Sequence, residues 1–122
     1  MLVERSVYDD VVAKAAEIAS SIAVGPTTQE GRHIGPVVNK KQWNQIQKMI
    51  ETGISEGARL VAGGPGLPEG VNRGYYVRPT VFADVSNDMA IAQQEIFGPV
   101  LSIIPFEDEA DAVRIANDTP YG

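Results

Sequence analysis

Glu95-Ile96-Phe97-Gly98-Pro99-Val100 is the segment of this 122-residue chain whose residue types and spacing best suit chemistry. A carboxylate stands two positions before an aromatic ring, and Gly98-Pro99 breaks the backbone ahead of an apolar run. In locally extended backbone, residues two apart project to the same side. A carboxylate there accepts two sugar hydroxyls while the ring packs on a flat heterocycle, so the pair suits a nucleoside. The same spacing also reads as a stiff turn whose phenylalanine belongs to the core. The residues alone leave both readings open.

Other chemistries are poorly supplied. The chain has no cysteine, which excludes a disulfide framework, a thiolate metal site and a cysteine nucleophile within it. His33 is the single imidazole, and it reads as a solvated loop side chain. A histidine-based triad would need a nucleophile brought to it by the fold, and one histidine among scattered carboxylates is a poor metal site. Glu107, Asp108, Glu109 and Asp111 lack the alternating Asp/Asn pattern and central glycine of a calcium loop. They suit the first turn of a helix, where acidic side chains oppose the macrodipole. The glycine-rich run Gly63 to Gly70 could suggest a phosphate cradle, but Pro65 and Pro68 remove backbone donors and a strand follows it. It reads as a connecting loop. Ten basic against 16 acidic side chains give a net charge of −6, and the longest basic run is Lys40-Lys41, so nucleic acid is excluded as a partner. No stretch approaches the ~18 apolar residues of a membrane span, and Glu4 and Arg5 interrupt any apolar signal region. A soluble cytoplasmic protein is expected.

The elements that must position the Glu95–Phe97 segment are legible as patterns. Val11, Ala15, Ile18 and Ile22 form one helical stripe after a capping-box-like Ser6 and Asp9. A second helix starts near Asn39, with Trp43, Ile46, Ile50 and Ile54 on its inner face and Gly57 at an αL cap. Arg59 to Ala62 reads as a short strand. Tyr75 to Val85 looks extended, with Pro79 making it an edge or bent strand. Met89 to Gln94 suits one helical turn, and Val100 to Phe106 a strand buried on both faces. Glu107 to Asn117 closes the chain as an amphipathic helix. Strands alternating with helices predict an α/β fold, a layered, mostly parallel sheet with flanking helices.

Glu95-Ile96-Phe97-Gly98-Pro99 closely resembles the EIFGP motif of the NAD(P)-dependent aldehyde dehydrogenase superfamily. Gly74-Tyr75-Tyr76-Val77-Arg78-Pro79-Thr80-Val81 resembles the family's G-Y-[FY]-x-x-P-T strand, and Ile34-Gly35-Pro36-Val37-Val38 its G-P-x-[VI] loop before a helix. Glu56-Gly57-Ala58 with Gly63-Gly64 is similar to the E-G-A…G-G spacing, and Ala116 to Gly122 to the A-N-x-x-x-Y-G segment. The ordered motifs cover nearly the whole chain.

The resemblance implies that Glu95 is the glutamate that hydrogen-bonds the nicotinamide ribose and that Phe97 is the aromatic packed near the nicotinamide. It places Gln42 where a polar side chain on the preceding helix approaches the same ribose. Three positions on, where the family commonly has a basic residue, this chain has Gln45. The implied cofactor is NAD or NADP and the implied substrate a small-molecule aldehyde, with a homo-oligomer expected. In the family a cysteine thiolate attacks the aldehyde, hydride passes to the nicotinamide, and a glutamate-activated water hydrolyses the thioester. A thiolate suits this task as both nucleophile and leaving group. The resemblance puts that cysteine just N-terminal to the strand Met1-Leu2-Val3 resembles, and the general base and dinucleotide-binding domain further upstream. Residues 1–122 are therefore expected to be part of a catalytic domain truncated at both ends, with no catalytic residue of its own and inactive alone. The alternatives are a stand-alone binding or assembly module that keeps the fold without the chemistry, and a self-contained nucleotide-binding domain.

Overall fold

The computed structural model describes residues 1–28, 30, 31 and 33–121. In chain order the elements are β1 (Leu2–Glu4), α1 (Tyr8–Ser21), β2 (Ala23–Val24), β3 (His33–Ile34), α2 (Lys40–Ser55), β4 (Arg59–Ala62), β5 (Thr80–Ala83), α3 (Ala90–Gln93), β6 (Val100–Ser102), β7 (Ile104–Phe106) and α4 (Glu109–Ala116). A 3₁₀ turn, Arg5–Val7, links β1 to α1. β5 lies between β4, antiparallel to it, and β6, parallel to it. β1 runs parallel to β7, and β2 parallel to β3. The chain is thus α/β, with parallel pairing predominating and helices against the strands.

β5 is the hub because it is apolar on both faces. Thr80, Val81, Phe82 and Ala83 are all buried, and strand periodicity sends alternate side chains to opposite layers. Phe82 joins a core with Ile46, Ile50, Val77, Ile91 and Ile96 beneath α2. Val81 and Ala83 join Val3, Tyr8, Val12 and Ile103 beneath α1. Pro79 stands immediately before this strand, so its missing N–H interrupts no ladder. The extended stretch expected from Tyr75 to Val85 contracts to four paired residues, and the strand is central, not an edge.

The apolar run 100–106, expected as one strand, changes neighbours at Ile103. β6 pairs with β5, whereas β7 pairs with β1. Ile103 is fully buried at the switch; its N–H donates to Phe82 O at 2.8 Å and its carbonyl accepts from Val85 N at 3.2 Å. The Met1 ammonium donates to Ser102 O at 2.8 Å, continuing the β1 edge past the strand proper.

The two long helices differ in how they are anchored. α2 follows its pattern closely. Asn39 caps it, accepting from Gln42 N at 2.9 Å. At the other end Gly57 (φ +94°) completes a Schellman closure, with Gly57 N to Ile54 O at 3.1 Å and Ala58 N to Gly53 O at 3.0 Å. α1 departs from its pattern. Ser6 turns back to Glu4 and caps nothing. The buried side chains are Tyr8, Val12 and Ala19, while Ile18 and Ile22 of the expected stripe are 51 % and 39 % exposed. The helix is rotated so that Tyr8, the larger anchor, reaches the core. Its hydroxyl accepts from Asp84 N at 2.6 Å and donates to Ile103 O at 3.3 Å.

Candidate functional site

The Glu95–Pro99 segment is a rigid turn between α3 and β6, seated against the first turns of α2. Ile96 points inward and is buried, which leaves its neighbours Glu95 and Phe97 facing out. Phe97 is 67 % exposed, so it is not the core phenylalanine that spacing alone allowed. It also holds φ +54°. That left-handed conformation costs a bulky L-residue about 1–2 kcal/mol and persists only where the surroundings fix it.

Several contacts do so. A Cβ on Gly98 would lie 2.6 Å from Ile46 Cδ1, so the turn approaches α2 too closely for any side chain at that position. Pro99 O accepts from Thr80 N at 2.8 Å, joining the turn to β5, and Val100 N reaches back to Gly98 O at 2.8 Å. From α2, Gln42 Nε2 donates to Phe97 O at 2.7 Å. Gln42 Oε1 in turn accepts from Val38 N at 3.3 Å. The loop that carries Val38 is held by Val37 N to Tyr75 O at 2.9 Å, and Trp43 Nε1 donates to Tyr76 O at 2.8 Å. The three motifs around residues 34–38, 74–81 and 95–99 are therefore one hydrogen-bonded assembly around the N-terminus of α2.

The structure brings all three expected site residues together, though in different roles. Glu95 is exposed, and among the described residues its carboxylate meets no hydrogen-bond or ion-pair partner. Phe97, two residues on, exposes its ring on the same turn. Gln42 reaches the same turn but with both ends of its amide engaged by backbone. Gln45 is exposed, and among the described residues its side chain makes no hydrogen bond to the turn. An exposed carboxylate and an exposed ring carried by one turn are groups that can take a ribose and a flat heterocycle. No pattern pointed to Gln42 as a partner of Phe97, because the two residues are 55 apart in sequence.

His33 lies in β3, half-buried, its Nε2 3.0 Å from Pro26 O. It is a loop-bracing residue and joins no nucleophile. The acidic run closes the start of α4, where the Asp108 side chain accepts from Asp111 N at 2.9 Å. Among the described residues no cluster of His, Cys, Asp and Glu is arranged to hold a metal.

A recess of about 310 Å³ runs beside the turn, lined by Phe97 and Gly98, by Ile91 of α3 and by Leu101, with Met1 also on its wall. Met1, immediately before β1, thus shares a depression with the exposed ring.

The model of the Aldehyde dehydrogenase family matches residues 1–122. The chain belongs to that family. An aldehyde dehydrogenase from Bartonella henselae has the same fold over the whole chain, with a TM-score of 0.98 and 59 % identity. A cysteine-to-alanine mutant of aldehyde dehydrogenase C from Pseudomonas syringae, solved with NAD+ and octanal, matches at TM-score 0.97 and 48 % identity. The Mycobacterium tuberculosis aldehyde dehydrogenase, solved with NAD+, matches at 0.94 and 51 %. Among curated relatives, one from Staphylococcus saprophyticus is 49 % identical over 121 residues, which is 99 % of this chain and 26 % of that protein. The chain spans about a quarter of the length of each of these relatives, 26 %, 25 % and 25 % of the three solved structures. No helix is long and apolar enough to cross a membrane among the described residues.

Proposed function

We propose that this chain is the part of an aldehyde dehydrogenase that presents the nicotinamide half of NAD or NADP to the reacting aldehyde, and that it is inactive alone. The observation that carries the reading is the held turn at Phe97, which exposes both the Glu95 carboxylate and the Phe97 ring to solvent. Glu95 would accept hydrogen bonds from the nicotinamide ribose, and Phe97 would pack beside the ring. The cofactor, when bound, supplies the hydride acceptor. Glu95 acts as a binding group, through the acceptor oxygens of its side chain, and is not the general base.

The nucleophilic cysteine and the general base would come from sequence outside residues 1–122. An apolar groove of about 580 Å³ between α1 and the starts of β5 and β6, lined by Val11, Ala15, Ile18, Ile22, Val81 and Leu101, speaks for a fragment over a stand-alone module. Such a face normally has a covering partner. The parent enzyme would be a homo-oligomer acting on a small aldehyde, in the cytoplasm, where thiols stay reduced.

The test compares two proteins. The purified 122-residue chain should give no aldehyde-dependent NADH formation. A chimera in which it replaces the matched quarter of the Bartonella henselae relative should give it, and Glu95→Gln should raise the chimera's KM for NAD+. Activity in the isolated chain would overturn the assignment of the nucleophile to sequence outside it. A folded but inactive chimera would overturn the proposed function.

A further inference from the structure

We infer that Gln42 is a positioning residue: it sets the nicotinamide-facing turn by donating to the Phe97 carbonyl, and it acts on the cofactor through that turn. The inference deepens the proposed function and rests on it. The amide of Gln42 is committed at both ends, with Nε2 2.7 Å from Phe97 O and Oε1 3.3 Å from Val38 N. These partners also fix which end is which. Rotating the amide by half a turn would set oxygen against the Phe97 carbonyl and NH₂ against the Val38 N–H, losing both bonds. The backbone of Gln42 is held in its turn by the Asn39 cap at 2.9 Å. The donor is therefore presented from a helix terminus that does not move, towards the one non-glycine residue of the turn with positive φ.

The rest of the turn explains why this bond matters. Gly98 is pressed against Ile46, and Pro99 is tied to Thr80, so the C-terminal side is fixed by packing and by β5. The N-terminal side is fixed by the buried Ile96. Between these anchors the Phe97 peptide is the one unit whose carbonyl direction packing leaves open, because its side chain lies in solvent. The Gln42 donor selects that direction and with it the tilt of the ring. Each end of the amide keeps one further capacity, a second N–H on Nε2 and a second lone pair on Oε1, so direct contact with a ribose and positioning of the turn are separated by experiment.

A carboxylate at position 42 separates the two roles. It cannot donate to the Phe97 carbonyl, and it would oppose that oxygen with another, yet it would accept from ribose hydroxyls better than an amide does. In the chimera described above, Gln42→Ala should raise the KM for NAD+ by about fivefold, the value of one hydrogen bond. Gln42→Glu should raise it further, with melting temperatures close to that of the parent. In a Phe97→Ala background, Gln42→Ala should add less than about twofold, because coupled residues are not additive. A Gln42→Glu chimera that binds NAD+ as well as the parent, or effects of Gln42→Ala and Phe97→Ala that multiply, would overturn the positioning role and leave the proposed function standing. A parent chimera with no NAD+-dependent activity would remove both. Amide exchange at Val100, whose N–H closes the turn onto Gly98 O, reports how firmly the turn is held without a chimera. Exchange should be faster in Gln42→Ala and fastest in Gln42→Glu, and unchanged exchange would count against the role.

Discussion

The two long helices of this chain pack on opposite faces of β5, yet only one is complete. α2 carries a side-chain cap at its start and a Schellman closure at its end, and its Ile46 and Ile50 are fully buried. α1 has no side-chain cap, and all four residues of its apolar stripe line an open groove. The difference marks a division of labour. The α2 side is closed at both ends and supports the Glu95–Pro99 turn, the proposed cofactor site. The α1 side is shaped to be covered, which agrees with a chain that spans a quarter of its relatives' length.

The largest expected effect tests the α2 core directly. Ile50 is fully buried against the cluster that includes Phe82 and Ile91. Ile50→Ala should cost about 2–5 kcal/mol in urea unfolding, through lost transfer energy and the cavity left behind. A cost below about 1 kcal/mol would mean that the α2 side relaxes as freely as the α1 side.

Next in size is Gly98→Ala, which asks whether the turn is clamped on that core. The added Cβ would lie 2.6 Å from Ile46 Cδ1 and 2.9 Å from Ile46 Cγ1, so either the isoleucine or the turn must shift. Overpacking of this kind costs about 1–3 kcal/mol. The displacement should also reach Phe97, so near-ultraviolet or NMR signals of that ring should change together with stability. A variant as stable as the parent, with the ring signals unmoved, would show that the turn rests on Ile46 only loosely.

The α1 side offers a smaller, pH-dependent effect. Arg59 Nε donates to Asp84 Oδ2 at 2.6 Å, and this holds the Asp84 carboxyl below the ordinary carboxylate range despite partial desolvation. A depressed carboxyl adds stability above its unfolded value and loses it as pH falls through the folded one. Both partners are about half exposed, at 52 % each, so the contribution at neutral pH is only about 0.2–1 kcal/mol. Asp84→Asn should lower stability by that amount at pH 7, and the two proteins should converge in acid. A difference that stays constant with pH would assign the effect to the backbone of Asp84, which sits at φ +55° beneath Tyr8, and not to the ion pair.

How much of this was legible in the sequence follows from how local each feature is. The Asn39 cap, the Gly57 closure and β4 depend on residues within a few positions, and all three form where the patterns put them. The Glu95–Phe97 pair was visible as a motif, but the exposure of Phe97 was not, since it depends on Gly98 meeting Ile46 across the fold. The rotation of α1 was hidden for the same reason. Tyr8 outcompetes Ile18 and Ile22 for the core because Asp84 N and Ile103 O, far along the chain, can satisfy its hydroxyl. The split of residues 100–106 at Ile103 was likewise set by two different neighbours and by nothing in the run itself.

The smallest expected effect on stability is the one that most sharpens the contrast between the helices. Ile18 and Ile22 are as apolar as Ile46 and Ile50 and sit at equivalent spacing on their helix, so composition and periodicity rank the two pairs together. Burial separates them. Replacing Ile18 and Ile22 by serine should change unfolding free energy by no more than about 0.5 kcal/mol, the range for surface positions. Helix propensity adds little, because isoleucine and serine rank alike. The same double variant should weaken any concentration-dependent association of the chain, read by light scattering, because it makes the open groove polar. A loss of stability comparable to that of Ile50→Ala would place the α1 stripe in the core and erase the asymmetry. Unchanged stability together with reduced association would tie the asymmetry to a missing covering segment.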